Sequence, residues 1–237
     1  MSTRLFVIAV IPGIALTLAA YLTDRYDREP ISLLMKVFIL GCLSVIPAAI
    51  VENFLMSFNI FRWLLGPAYQ AFIVAGLTEE FFKREVVLRT AFRSHAFDEK
   101  LDGIIYAAFS ALGFATVENI IYVVFRFTTN PHIGIYRGVF SVPAHMLFAV
   151  TMGYYLSLAK FSQKHITNRH YLRRSWLIPA ILHGTFNFIL MSNLPRLMTL
   201  FIPFVVYLWA INLRKLNRFY LESRDLFKVE YSKRKKV

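Results

Sequence analysis

Glu79 and Glu80 stand side by side in an apolar stretch, after the run from Gly66 to Leu77, and Lys83 follows them. A charge inside a bilayer loses its hydration, so a chain that keeps two carboxylates and an ammonium there has a use for them. Glu79 and Lys83 are four apart and share a helix face, where they can pair. Glu80 and Arg84 form a second pair by the same spacing, turned by about 100°. Further on, Phe114 precedes Glu118 by four, His145 lies in another apolar run, and His183 precedes Asn187 by four. Neighbouring carboxylates ionise unequally, which suits one to take a proton while another holds one. Two chemistries are open to this set. Without a metal, Glu79 is the general base that activates water, and Glu80 or Glu118 holds the complementary proton. His183 and Asn187 then donate to a developing oxyanion. With a metal, Zn²⁺ would draw its ligands from Glu79, Glu118, His145 and His183 and keep one position open for water. No HExxH spacing occurs, so such a centre has to be assembled from separate segments.

The elements that must position these residues are membrane spans. The 237 residues are 57% hydrophobic with a mean hydropathy of +0.52, above the range of soluble domains. The pattern predicts an all-α, polytopic transmembrane bundle of about seven spans, each long enough to cross the hydrocarbon. They run from Leu5 to Leu22, Ile31 to Val51 with a kink at Pro47, and from Pro67 through the acidic motif. The others run from Gly103 to Phe125, Gly138 to Ala159, Trp176 to Met191, and Leu197 to Leu213. The first is read as a retained helix, because no small-x-small cleavage site precedes the charged loop after it. Glu52 falls after the second span and reads as a solvated helix end. The segment from Arg126 to Arg137, with Asn130-Pro131, reads as a turn. Residues 1–213 form one membrane domain and 214–237 a basic cytoplasmic tail. Cys42 is the single cysteine, so no intrachain disulfide forms.

The charge distribution orients the chain. Of 27 Lys and Arg, most fall in alternate connections and the tail: Arg25 and Arg28; Arg84 to Lys100; Lys160 to Arg174; and everything beyond Leu213. The other connections hold Arg62, Arg126, Arg137 and Arg196, with Arg4 at the start. This bias places the N-terminus outside and the tail inside. It also accounts for the net charge of +13 without nucleic acid as a partner, since no RNA- or DNA-binding module is present. The Lys233-Arg234-Lys235-Lys236 run reads first as a solvated topogenic tail and second as a contact for anionic lipid headgroups.

Glu79-Glu80-x-x-Lys83, Phe114-x-x-x-Glu118, His145 with Phe148, and His183-x-x-x-Asn187 together resemble the PrsW family of intramembrane proteases. The loop from Tyr21-Leu22-Thr23-Asp24-Arg25 to Glu29-Pro30 is also similar to that family's first loop, so the likeness spans Tyr21 to Asn187. That family is related to the CAAX prenyl endopeptidases and the bacteriocin-processing ABI proteins, which implies their helical membrane core. The resemblance implies an intramembrane endopeptidase. The family is associated with cleavage of a membrane-bound anti-sigma factor, which implies the class of reaction, with a membrane-anchored, single-span protein as the expected substrate, and does not identify that substrate for this chain. It carries Glu79, Glu80, Glu118, His145, His183 and Asn187 over as catalytic and Lys83 and Phe114 as supporting. One departure matters: the CAAX enzymes have a histidine where Glu118 stands, so their water-activating Glu–His pair cannot be copied here residue for residue, which leaves His145 in that role or a metal-bound site. Two other classes use buried Glu and Lys as well: an ion- or proton-coupled transporter and a non-catalytic membrane scaffold. Loss of peptide cleavage on removal of Glu79 separates the protease from both.

Overall fold

The computed structural model describes residues 3–126 and 131–234. Helix α1 spans Thr3–Thr23 and α2 Ile31–Met56. Helix α3 covers residues 65–90 and α4 Lys100–Arg126. Helix α5 covers residues 131–160, α6 spans His165–Met191 and α7 Phe201–Arg234. Among the described residues there is no strand. By length and composition α1, α2, α4, α5 and α7 contain stretches able to cross a membrane. The long helices α3 and α6 do not reach that apolarity, and these two carry Glu79, Glu80, Lys83, His183 and Asn187.

Helix α4 is the axis of the bundle, with every residue from Leu101 to Thr116 buried. Its small residues are the reason, because between apolar helices in lipid close backbone contact replaces the hydrophobic drive. Gly113 lies against the backbone of Phe38 in α2, and Gly103 meets Gly153 of α5 backbone to backbone. A Cβ on Gly153 would meet the carbonyl of Gly103 and the Cα of Ile104. Gly153→Ala is therefore expected to push α5 off α4 and cost about 1–3 kcal/mol. A lower thermal midpoint in detergent, with the helical signal of the folded state unchanged, is the reading that checks it.

The sequence predicts a kink at Pro47. The helix instead breaks at Ser44, between Ile31–Leu43 and Val45–Met56. Proline crowds the carbonyl four residues before it, so the distortion falls upstream of the ring. The second half then runs to Met56, and Glu52 sits inside a helix rather than at a solvated end. Helix α5 likewise begins earlier than expected. Its first turns, Pro131–Tyr136 and Arg137–Ser141, make Arg137 a helical residue; residues 127–130 of the expected turn lie outside the described residues. The basic tail that begins at Arg214 is also helical, since α7 continues without a break to Arg234.

Three helices widen into π turns beside the polar residues. These are Tyr69–Leu77 before Glu79, Ile121–Arg126 after Glu118, and Arg137–Ser141 before His145. Each extra residue per turn shifts the register of the adjoining turns, a feature that recurs at functional sites. At the other end, the loop between α1 and α2 is pinned to α4. Tyr106 donates its hydroxyl to Glu29, whose N–H donates to Asp24 Oδ2 at 3.1 Å. Burial pushes the Glu29 carboxyl up to about 7 and that of Asp24 up to about 6.

Candidate active site

The polar residues of four helices meet in one buried chain of contacts. In α3, the i,i+4 and i,i+3 spacings bring Lys83 Nζ to Glu79 Oε2 at 3.0 Å and to Glu80 Oε1 at 2.8 Å. The same nitrogen lies 2.8 Å from Nδ1 of His145 on α5 and 4.4 Å above the Phe114 ring of α4. On its other side His145 Nε2 is 3.0 Å from Glu118 Oε2, and the Arg137 guanidinium reaches that oxygen at 3.0 Å. Glu80 Oε1 also accepts from Nδ1 of His183 on α6 at 3.0 Å. Phe148 stacks on the His183 ring with centroids 5.0 Å apart. Glu80 and Lys83 are completely buried. A lone buried charge would be costly; here each has an opposite charge and further polar contacts.

The surroundings fix these positions. Ser110 on α4 donates to the Lys83 carbonyl at 2.8 Å, and Trp176 on α6 donates to the Leu77 carbonyl at 2.9 Å. The expected Glu80–Arg84 pair does not form. Arg84 donates instead to Ser175 Oγ at 2.9 Å and to the Leu172 carbonyl at 3.1 Å, both on α6. Glu80 points inward, where Lys83 and His183 compete better for it than an arginine on a different face.

A cavity of about 350 Å³ adjoins the cluster, lined by Glu79, Glu118, His145, His183 and Asn187. Glu80 and Lys83 do not reach its wall. Its remaining lining is partly apolar, with Val45, Ala49, Met56, Phe186 and Leu190. All of these residues lie toward the ends of α2 to α6 remote from the basic end of α7. Two residues that sequence reasoning passed over are in the same cavity. Glu52 lines it with Oε1 buried and without a hydrogen-bond partner. Arg137, counted as a loop cation, lines it and neutralises Glu118. Arg137 and His145 are eight apart, so the helical period itself puts them on one face. Arg137 also donates to Asn119, which in turn donates to the Ala9 carbonyl and so ties the site to α1.

The arrangement fits a divalent cation. One ligand atom each from Glu79, Glu80, His145 and His183 lies within 4.8 Å of the others. Tetrahedral Zn²⁺ ligands stand about 3.3 Å apart, so side-chain rotations of about an ångström would close the set. The Lys83 ammonium is already held among Glu79, Glu80 and His145, which shows that they converge on positive charge. Two carboxylates and two imidazoles suit zinc. Glu118, expected as a ligand, stands outside this quartet, on the far side of His145 from Lys83. It orients that imidazole, as a carboxylate behind a metal-binding histidine does.

The model of the PrsW family intramembrane metalloproteases matches residues 29–211. The chain is 42% identical to a Protease PrsW of Clostridioides difficile (strain 630), over the whole of both chains. It is 38% identical to a Protease PrsW of Geobacillus kaustophilus, over 88% of this chain and 89% of that one. For a Protease PrsW of Bacillus subtilis the identity is 34%, over 88% and 92%. No solved structure matches the chain.

Proposed function

We propose a reaction for this chain, which belongs to the PrsW family of intramembrane metalloproteases and is a multi-pass membrane protease. It hydrolyses a peptide bond of a membrane-anchored, single-span protein, of the anti-sigma-factor kind, in the half of the bundle remote from α7's basic end. The observation that carries this reading is the position of Glu79. It is the one carboxylate of the adjacent pair on the cavity wall, and both histidines and Asn187 line the same space.

Glu79 is the general base. It takes a proton from water as the oxygen attacks the substrate carbonyl carbon, and the proton passes to the departing amine. Lys83, 3.0 Å away, holds the Glu79 carboxylate in place. Asn187, a turn beyond His183, donates to the oxygen that gains charge. Glu80, His145 and His183 would hold Zn²⁺, which supplies a Lewis acid for the carbonyl and a more acidic water. Glu118 fixes His145, and Arg137 fixes Glu118. The apolar part of the wall takes the side chains of a span, and the volume admits a short stretch of chain rather than a folded domain.

Purified protein in liposomes with a library of single-span peptides tests this, with products read by mass spectrometry. Cleavage at a defined bond is expected; ion flux across the liposome without cleavage would favour a transporter instead. Orientation is tested separately. The basic bias puts the tail inside and the cavity in the outer half. A reporter fused at Val237 is expected to read as cytoplasmic and one at Asn130 as external. An external reading at Val237 would overturn that orientation.

A further inference from the structure

We propose that the groove between α1 and α7, at the end of the bundle opposite the cavity, binds one anionic phospholipid through Arg25 and Arg214. The groove has a volume of about 820 Å³. Its apolar walls include Leu22 and Leu213, each 51% exposed. Arg25 and Arg214 lie on the same lining, with Thr23, whose hydroxyl donates to the Ala19 carbonyl, and Tyr220, whose hydroxyl meets that of Tyr26. Apolar walls beside two guanidiniums reproduce the order of a phospholipid: acyl chain, then phosphate.

The charges are what commit the groove to an anion. Nearby basic residues are already engaged: Arg218 with Glu222 at 3.2 Å, Arg224 with Asp225 at 3.0 Å, and Arg28 over the Tyr21 ring at 5.4 Å. Neither Arg25 nor Arg214 has a hydrogen bond or ion pair with any described residue. Asp24, next to Arg25 in sequence, is buried and accepts from the Glu29 N–H, and Asp27 lines a separate hollow with Asp98 and Glu99. Two unpaired guanidiniums suit a phosphate, which accepts from planar nitrogen pairs. Exposed leucines beside them place that phosphate at the edge of the hydrocarbon, where a headgroup lies. On the orientation proposed above, this is the inner leaflet, whose anionic lipids attract basic residues at about 1 kcal/mol each.

The full chain is transferred from nanodiscs of phosphatidylcholine with a minor fraction of phosphatidylglycerol, both with the same acyl chains. Retained lipids are counted by native mass spectrometry. Phosphatidylglycerol is expected to be enriched over its share of the bilayer. Arg25→Gln and Arg214→Gln should each lower that enrichment about fivefold, and the pair about 25-fold. Arg25→Lys and Arg214→Lys keep the charge but lose the planar nitrogen pair and should fall between parent and glutamine variants, which separates lost binding from lost folding. Arg169→Gln, on α6, should leave it unchanged. Equal retention of the two lipids by the parent chain would overturn the proposal. So would undiminished enrichment in the double glutamine variant. Equally tight capture of glycerophosphoglycerol, the headgroup without chains, would make this an ion site and not a lipid site.

Discussion

Replacing Glu79 by glutamine is expected to lower peptide hydrolysis by about 10²-fold or more, the usual contribution of a positioned general base. Glutamine keeps the size of the side chain and an oxygen to face Lys83, so the fold and the cavity should survive. What it removes is the ability to accept a proton from water in the cavity. Glu85→Gln is the matching control. Its carboxylate pairs with Arg89 at 3.1 Å and Arg84 at 3.4 Å and does not line the cavity. An ion pair with such an exposed arginine contributes little, so Glu85→Gln should cleave near the parent rate. The check is turnover of one cleaved peptide by parent, Glu79→Gln and Glu85→Gln in the same liposomes. Parent-like turnover in Glu79→Gln would remove the general-base role.

Stripping the protein with a chelator is expected to take hydrolysis to background, and Zn²⁺ to restore it. Glu80, His145 and His183 are the physical basis, since with Glu79, kept as the base, they place one ligand atom each within 4.8 Å of the others. Glu118→Gln should weaken metal binding by about 10–100-fold, because it loosens the hydrogen bond that orients His145. Metal content of the purified protein, measured beside turnover, distinguishes loss of the ion from loss of the fold. Full activity after exhaustive chelation, with no metal detected, would leave the metal-free version of the chemistry, in which His183 and Asn187 act as donors.

The apolar runs find five helices able to cross a membrane, α1, α2, α4, α5 and α7, because burial in lipid demands long uncharged stretches, whereas α3 and α6 fall short of that apolarity. The four polar motifs are legible too, since a charge or imidazole in such a stretch stands out against its neighbours. What stays hidden depends on where helices begin and end, and on contacts between them. Glu52 reads as a solvated helix end in a sequence whose second span closes at Val51, whereas the helix continues to Met56. Arg137 reads as a loop cation because Asn130-Pro131 suggests a turn; the helix begins at Pro131, and Arg137 comes round to Glu118. Local spacing pairs Glu80 with Arg84. Its actual partners include His183, 103 residues away, and no local rule reveals such a pair.

If water activated at this cluster cuts the peptide bond, its oxygen must end in the product. Cleavage of a single-span peptide by the reconstituted protein in water enriched in heavy oxygen tests this most directly, with the products weighed by mass spectrometry. The prediction is one heavy oxygen in the new C-terminal carboxylate, formed by the parent chain and nearly absent with Glu79→Gln. A product that carries no heavy oxygen, or equal labelled product from Glu79→Gln, would contradict it.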